Sequence, residues 1–153
     1  MATSWRPSAS LQVLRARATL LTQIRAFFAS NGVMEVETPV CAIGATLDPA
    51  IEVFCTKFCG PGYPDGLVMY LQSSPEVHMK RLLAAGSGDI FQICHVFRDG
   101  ERGRVHNQEF SLLEWYRLNY DHHQLMDEVA MLINTVANKI IPEQRLSYAE
   151  LFY

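Results

Sequence analysis

The sequence predicts an α+β fold, part of an antiparallel sheet flanked by helices. Three observations carry it. Residues 89–98 and 109–117 are two apolar alternating runs separated by a short charged loop, the pattern of a strand hairpin. Leu11, Leu14, Ala18, Leu21, Ile24 and Phe28 recur at helical spacing. So do Leu125, Met126, Val129, Leu132, Ile133, Val136 and Ile140.

The elements follow in order. A helix is expected over about residues 10–30, with Ser8 or Ser10 as its cap and Asn31-Gly32 as its stop. A strand from Val33 to Glu37 ends at Thr38-Pro39, and a loop with Gly44 and Pro49 leads to a strand around Ile51 to Phe58. Gly60-Pro61-Gly62-Tyr63-Pro64-Asp65-Gly66 reads as a turn or flexible loop, and Leu67 to Gln72 as another strand. Ser74-Pro75-Glu76 opens a helix: serine as cap, proline in the first helical position, glutamate in the first turn. That helix runs to Ala85 and stops at Gly86. The hairpin comes next, then a long helix capped by Asp121 with Gln124 three residues on. Ser147-Tyr148-Ala149-Glu150 is a capping box. The apolar residues after it, Leu151-Phe152-Tyr153, either begin a further helix of a larger fold or dock as an aromatic turn.

Composition bounds the function. With 153 residues, 49% apolar and 19% charged, the chain fits one globular domain. A net charge of −3 argues against a nonspecific nucleic-acid binder. No apolar run approaches the roughly 20 residues of a membrane span, and a cytoplasmic protein is expected. Cys41, Cys55, Cys59 and Cys94 match no zinc-finger spacing and read as buried, reduced thiols. Residues 1–34 carry Arg6, Arg15, Arg17 and Arg25 and no acid, a bias also found in mitochondrial transit peptides. The arginines mostly fall off the apolar stripe and no small-residue cleavage site follows, which favours a structural amphipathic helix.

The hairpin carries the chemistry. One strand ends in Arg98, the loop holds further cations, and the returning strand offers the ring of Phe110. Cations neutralise phosphate and a ring stacks on a base, so the hairpin has the parts to hold a nucleotide. Glu114 and Tyr116 share a strand face with Phe110 and Leu112 by period two. A carboxylate on that otherwise apolar face needs a partner: a substrate cation or a neighbouring polar side chain.

These residues carry a resemblance. Phe97-Arg98, His106 and Phe110 resemble motif 2 of the class II aminoacyl-tRNA synthetases. The helix ending at Asn31-Gly32, followed by Glu35-Val36-Glu37-Thr38-Pro39, resembles their motif 1. Ser74-Pro75-Glu76-Val77-His78-Met79-Lys80-Arg81 is similar to the amino-acid-binding helix start of the lysyl branch. Within that branch, His106-Asn107, Glu109-Phe110 and Leu113-Glu114-Trp115-Tyr116-Arg117 most resemble the elongation factor P lysine ligases, paralogues of lysyl-tRNA synthetase. Motif 1 begins about ten residues in, leaving no room ahead of it for the anticodon-binding barrel of a lysyl-tRNA synthetase.

The resemblance implies an activity and a set of roles. Lysine or (R)-β-lysine is activated with ATP as an aminoacyl-adenylate and transferred to a lysine of elongation factor P. Arg98 is then the α-phosphate clamp and the catalytic residue, with Asp99 and Gly100 beside it in the ATP site. His106 approaches the outer phosphates, Asn107 lies near the adenine edge, and Phe110 stacks on adenine. Glu76 holds the substrate ammonium, Ser74 and Pro75 shape the wall, and Glu114 and Tyr116 meet the amino-acid side chain. A homodimer through motif 1 is implied; tRNA is not expected as a partner.

Each residue also has a plainer reading. Arg98 can be a solvated hairpin arginine paired with Asp99, His106 a solvated loop histidine, and Phe110 a core residue. Glu76 can be a first-turn acid favoured by the helix dipole.

Two departures stand out. The lysyl motif 2 commonly reads Arg-Asn-Glu, and here it reads Arg98-Asp99-Gly100-Glu101, so the adenine-facing glutamate is displaced by one position. Glu101 substitutes if the loop shifts, which Gly100 permits. Motif 3 and the acidic residues that bind Mg2+ in the complete family domain are absent, so residues 1–153 read as a partial catalytic domain. Such a chain is expected to be inactive alone. The alternatives are a fragment like lysyl-tRNA synthetase, a non-catalytic dimerising or binding remnant and, last, an RNA-binding module.

Overall fold

The computed structural model describes residues 5–46 and 48–152. Tyr153, read above as part of the C-terminal aromatic run, lies outside the described residues. In chain order the elements are α1 (Leu11–Ser30), β1 (Met34–Glu35), β2 (Cys41–Ala42), β3 (Cys55–Gly60) and β4 (Tyr63–Leu71). They continue with α2 (Glu76–Ala84), β5 (Ile90–Phe97), β6 (Glu109–Tyr116), α3 (His122–Ala137) and α4 (Tyr148–Phe152). The mixed α and β content and the antiparallel-rich sheets with helices bear out the expected fold class. The chain forms two compact units: its two ends, up to Asn31 and from Asn119, make one, and Gly32–Leu118 the other.

The unit made by the chain ends is helical. Ser10, not Ser8, caps α1: its hydroxyl accepts from Val13 N at 3.3 Å. Asn31 closes the helix, its side-chain amide donating to the Phe27 carbonyl at 2.8 Å, and Gly32 follows in the left-handed region at φ 70°. The structure therefore bears out a structural helix, yet it corrects the buried stripe. Phe27 and Phe28 are buried with their rings edge to face, whereas Leu11 is 70% exposed and Leu14 44%.

Helix α3 packs on α1 and has the expected capping box, Asp121 taking the Gln124 amide and Gln124 the Asp121 amide. Its stripe is corrected in the same way. Leu132 is buried, but Met126, Val129 and Ile133 are exposed, and Ile140 lies beyond the helix at 89% exposure. The buried member that periodicity missed is Glu128, at 2% exposure. Arg145 bridges Asp127 (2.6 Å) and Glu143 (2.7 Å) and draws the segment after α3 back along it. The second capping box is present, Ser147 and Glu150 satisfying each other's amides at the start of α4.

The central unit holds two three-stranded sheets, ordered β1-β5-β6 and β2-β4-β3. The first contains the expected hairpin, in register from Phe97↔Glu109 to Ile90↔Tyr116. Its third strand, β1, is parallel to β5 and only two residues long, though the Val36 amide still reaches the Phe91 carbonyl at 2.9 Å. In the second sheet the stretch read as a loop over 60–66 is mostly strand. Pro61-Gly62 alone makes the turn, with Gly62 at φ 85°. Tyr63 packs its ring against Phe58 across the turn, and this contact holds a glycine- and proline-rich segment in the sheet. The strand expected from Ile51 begins only at Cys55, and the short β2 was not foreseen.

Between β4 and β5, α2 starts one residue later than predicted: Pro75, not Ser74, is the cap residue and Glu76 the first helical one, though the Ser74 hydroxyl accepts from Glu76 N, and Met79 is fully buried. Gly86, at φ 88°, ends it, with Gly86 N and Ser87 N turning back to the Leu83 and Leu82 carbonyls. The four cysteines depart from the buried reading: Cys41 and Cys94 are half-buried, and Cys55 and Cys59 are exposed on β3.

Two outcomes follow. Thr38 Oγ1 donates to Gln92 Oε1 at 3.0 Å with both residues buried, so Thr38→Val strands a buried acceptor. It is expected to cost about 1–3 kcal/mol in urea unfolding. The Asp121 carboxyl is held below its usual range, first by the Gln124 amide. A depressed folded-state pKa stabilises above the ordinary aspartate range and is lost as pH falls through the folded value. Asp121→Asn keeps the cap without the charge, so its melting temperature should vary less with acidification than that of the wild type.

Candidate functional site

The site is assembled by the meeting of three strand ends. Gln72 follows β4, and its amide donates to the Val40 carbonyl at 2.8 Å. Its carbonyl accepts from Phe97 N at 2.9 Å, and its side-chain amide donates to the His95 carbonyl at 2.9 Å. These bonds fasten the exit of β4 to the exit of β5. Ser73 and Ser74 are thereby carried alongside Arg98 and β6.

Arg98 sits at the end of β5, its backbone amide paired to the Gln108 carbonyl. Its Nε donates to the Ser73 carbonyl at 3.3 Å, and Nη1 lies 3.7 Å from Glu101. The guanidinium carbon stands 5.1 Å from the centre of the Phe110 ring. Arginine and ring therefore share one face of the sheet. The plainer reading of Arg98 is overturned: it pairs with Glu101, not Asp99, and its side chain is 26% exposed. Asp99 instead accepts from Gly100 N at 2.8 Å and donates its own amide to the Glu52 carbonyl.

Four and six residue pairs further along the hairpin from Phe110, the same face carries Glu114 and Tyr116, opposite Gln92 and Ile90. Glu114 has both oxygens engaged. Ser74 donates to one at 2.7 Å and Tyr116 to the other at 2.7 Å. The sequence left open a substrate cation or a polar neighbour as its partner; in this structure two hydroxyls fill that role. Burial pushes the Tyr116 phenol up, and the hydrogen bond to Glu114 pushes it further. Cys94 lies on this face as well, its thiol raised to about 11 by burial and then by the Glu114 charge. At neutral pH both groups keep their protons.

Other expected residues are not gathered here. Glu76 is exposed and forms an ion pair with Lys80 one turn on. With Ser74 it lines a cavity of about 470 Å3 between the Ala42–Thr46 loop and α2, to which His78 and Arg81 also contribute. Pro75 is buried behind it. His106 and Asn107 are exposed in the hairpin loop, the His106 carbonyl accepting from Gly103 N. Sequence reasoning missed Gln72, Ser73, Gln92 and Cys94. Gln72 Oε1 and Ser73 Oγ are buried with no hydrogen-bond partner among the described residues. The signal available was polar residues inside otherwise apolar strands, at Gln92 and Cys94.

Motif geometry and sequence comparison meet at this point. The profile of the class II tRNA synthetases of the D, K and N type matches residues 2–151. The chain belongs to the class II tRNA synthetase family. Proteins named elongation factor P–(R)-β-lysine ligase resemble this synthetase chain closely. That of Vibrio parahaemolyticus is 51% identical over 152 residues, which is 99% of this chain and 47% of the relative. That of Pectobacterium carotovorum is 52% identical over 150 residues, 98% of this chain and 46% of the relative. That of Salmonella arizonae is 50% identical over 149 residues, again 46% of the relative. The expected resemblance to these ligases is borne out, and the chain spans about half the length of the curated relatives it matches.

No helix among the described residues is long and apolar enough to cross a membrane. No three His, Cys, Asp or Glu residues among them are grouped to hold a metal ion.

The charge at Glu114 has a readable consequence. Cys94 is expected to alkylate with iodoacetamide at pH 8 far more slowly than exposed Cys55 and Cys59, as followed by peptide mass spectrometry. Glu114→Gln should speed Cys94 selectively. Equal rates at all three thiols would contradict the buried, charge-shadowed environment described here.

Proposed function

We propose that this chain supplies the nucleotide- and amino-acid-binding part of an ATP-dependent ligase. The enzyme joins lysine or (R)-β-lysine to AMP and passes it to a lysine of elongation factor P. The observation that carries this reading is the alignment, on one face of one hairpin, of Arg98 against Phe110 and of Glu114 between Ser74 and Tyr116. This reading puts a phosphate site and an ammonium site along one hairpin face, as joining a triphosphate to a diamino acid requires. The names of the half-identical relatives supply the acceptor and the (R)-β-lysine.

The chemistry follows from the residues. The substrate carboxylate attacks the α-phosphorus, and the bond to pyrophosphate breaks. Two anions must meet, so positive charge has to sit where they meet. Arg98 never deprotonates, and its planar fork can span the α-phosphoryl oxygen and the carboxylate together. Backbone groups at Asp99 and Gly100 border the phosphates, His106 reaches the outer ones, and Asn107 meets the adenine edge. Phe110 stacks the base, a contact worth roughly 1–3 kcal/mol in comparable sites. Glu76 leaves Lys80 to take the ammonium near the carboxylate, with Ser74 and Pro75 behind it. Glu114, already ordered by Ser74 and Tyr116, takes the distal ammonium. In the second step the acceptor amine attacks the acyl carbon, releasing AMP and a proton.

We also infer that the enzyme is cytoplasmic and pairs with a second copy through the motif 1 segment. The exposed Leu11, Val13 and Leu14 of α1 support the pairing. Residues 1–153 form part of the catalytic domain, with motif 3 outside it, and the chain alone is expected to bind ATP without turnover.

Amino-acid-dependent exchange of labelled pyrophosphate into ATP tests the reading. This chain extended by the remaining length of a half-identical relative should exchange, and Arg98→Ala should lower the rate by about 10²–10³. Exchange unaffected by Arg98→Ala, or none in the extended protein, would refute it. Under that reading Glu114→Gln should raise the KM for the amino acid more than the KM for ATP.

A further inference from the structure

We propose that Arg98 is a specificity determinant that closes the nucleobase shelf to ligands lacking phosphate. The inference rests on the nucleotide reading above and goes beyond it. The guanidinium carbon is 5.1 Å from the centre of the Phe110 ring. A base stacked on that ring occupies a layer about 3.5–4.0 Å above it. Arginine and base therefore compete for the same space.

The arginine is held where it stands. Its Nε donates to the Ser73 carbonyl, Glu101 lies 3.7 Å from Nη1, and the ring attracts the cation electrostatically. Ser73 is itself 2% exposed, and its carbonyl is fixed by the neighbouring Gln72 bonds, so this anchor does not drift. Only Glu101 comes from the hairpin loop.

A nucleoside that stacks on Phe110 must eject the cation and offers it nothing in return. Glu101 and the Ser73 carbonyl lose a donor, and the guanidinium returns to solvent. A nucleotide differs. Its phosphate oxygens give the displaced guanidinium charge-assisted, two-pronged hydrogen bonds, stronger than those it leaves. The base takes the ring as the arginine takes the phosphate, so the two events are one exchange. The displaced Glu101 acquires a role in this picture: it is the positioning residue that parks Arg98 over the ring.

The test uses this chain with adenosine and ATP as probes in calorimetric titrations. Arg98→Ala is expected to bind adenosine roughly threefold more tightly than the wild type, since the shelf is open. The same variant should bind ATP about tenfold or more weakly. Glu101→Gln, which removes the ion pair that parks the guanidinium, should also tighten adenosine binding. In proton spectra of the free chain, the Arg98 δ-methylene should be shifted upfield by the ring, and Phe110→Leu should abolish the shift.

ATP binding to the wild type with no gain in adenosine affinity in either variant overturns the proposal and leaves the nucleotide reading intact. An unshifted Arg98 methylene in the free chain also overturns it. Failure of ATP to bind, or ATP binding indifferent to both Arg98→Ala and Phe110→Leu, sinks the nucleotide reading itself.

Discussion

The hydrogen bonds of Gln72 are the constraint on which the central unit depends. A single residue at the end of β4 is bonded through its amide, its carbonyl and its side chain to the Val40 carbonyl, the Phe97 amide and the His95 carbonyl. Two sheets that share no ladder are thereby joined at their open ends. Arg98, Ser73, Ser74, Phe110, Glu114 and Tyr116 all sit within two residues of that junction or on the strand face beside it. Ser73 and Ser74 follow Gln72 directly, Arg98 follows Phe97, and β6 returns alongside β5. Ser73 offers its carbonyl to Arg98, and Ser74 its hydroxyl to Glu114. A loose junction would leave a half-buried arginine and a half-buried carboxylate without their neutral partners, a costly state for either.

The second organising feature is the division of charge along the hairpin. The Arg98 end is cationic, and the Glu114 end is anionic. Between them on the same face lie Phe110 and Leu112, which keep the two charges apart. Arg98 pairs with Glu101 and Glu114 with hydroxyls, so neither cancels the other. Hydroxyl partners order the carboxylate without neutralising it. The protons held on Tyr116 and Cys94 belong to the same economy, because a second negative charge beside Glu114 would meet both burial and repulsion.

The helical unit has a different character. Its ends are well specified by two reciprocal capping boxes and an asparagine stop, yet much of its apolar stripe is uncovered. Caps are local, satisfied by residues three or four positions away, and they form whether or not a helix face finds a partner. Burial of Leu11, Val129 or Ile133 requires surface from elsewhere.

The amino-acid sequence by itself determined what depends on near neighbours and on period. It determined the cap at Asp121, the start of α2 to within one residue, the stop at Gly86, both strands of the hairpin and the shared face of Phe110, Glu114 and Tyr116. Its motifs, matched in order, determined the family. Tertiary structure alone decided the partners. That Arg98 faces the Phe110 ring, that Glu114 binds Ser74 from 40 residues away, and that Gln72 joins two sheets are facts of long-range approach. The same holds where the reading was corrected. The glycine-rich stretch at 60–66 is strand because Tyr63 meets Phe58 across a two-residue turn, and the long apolar stripes are half exposed because amphipathicity records what a helix can bury, not what reaches it. A side chain's period fixes the direction in which it points, whereas the group it meets there is set by the path of the whole chain.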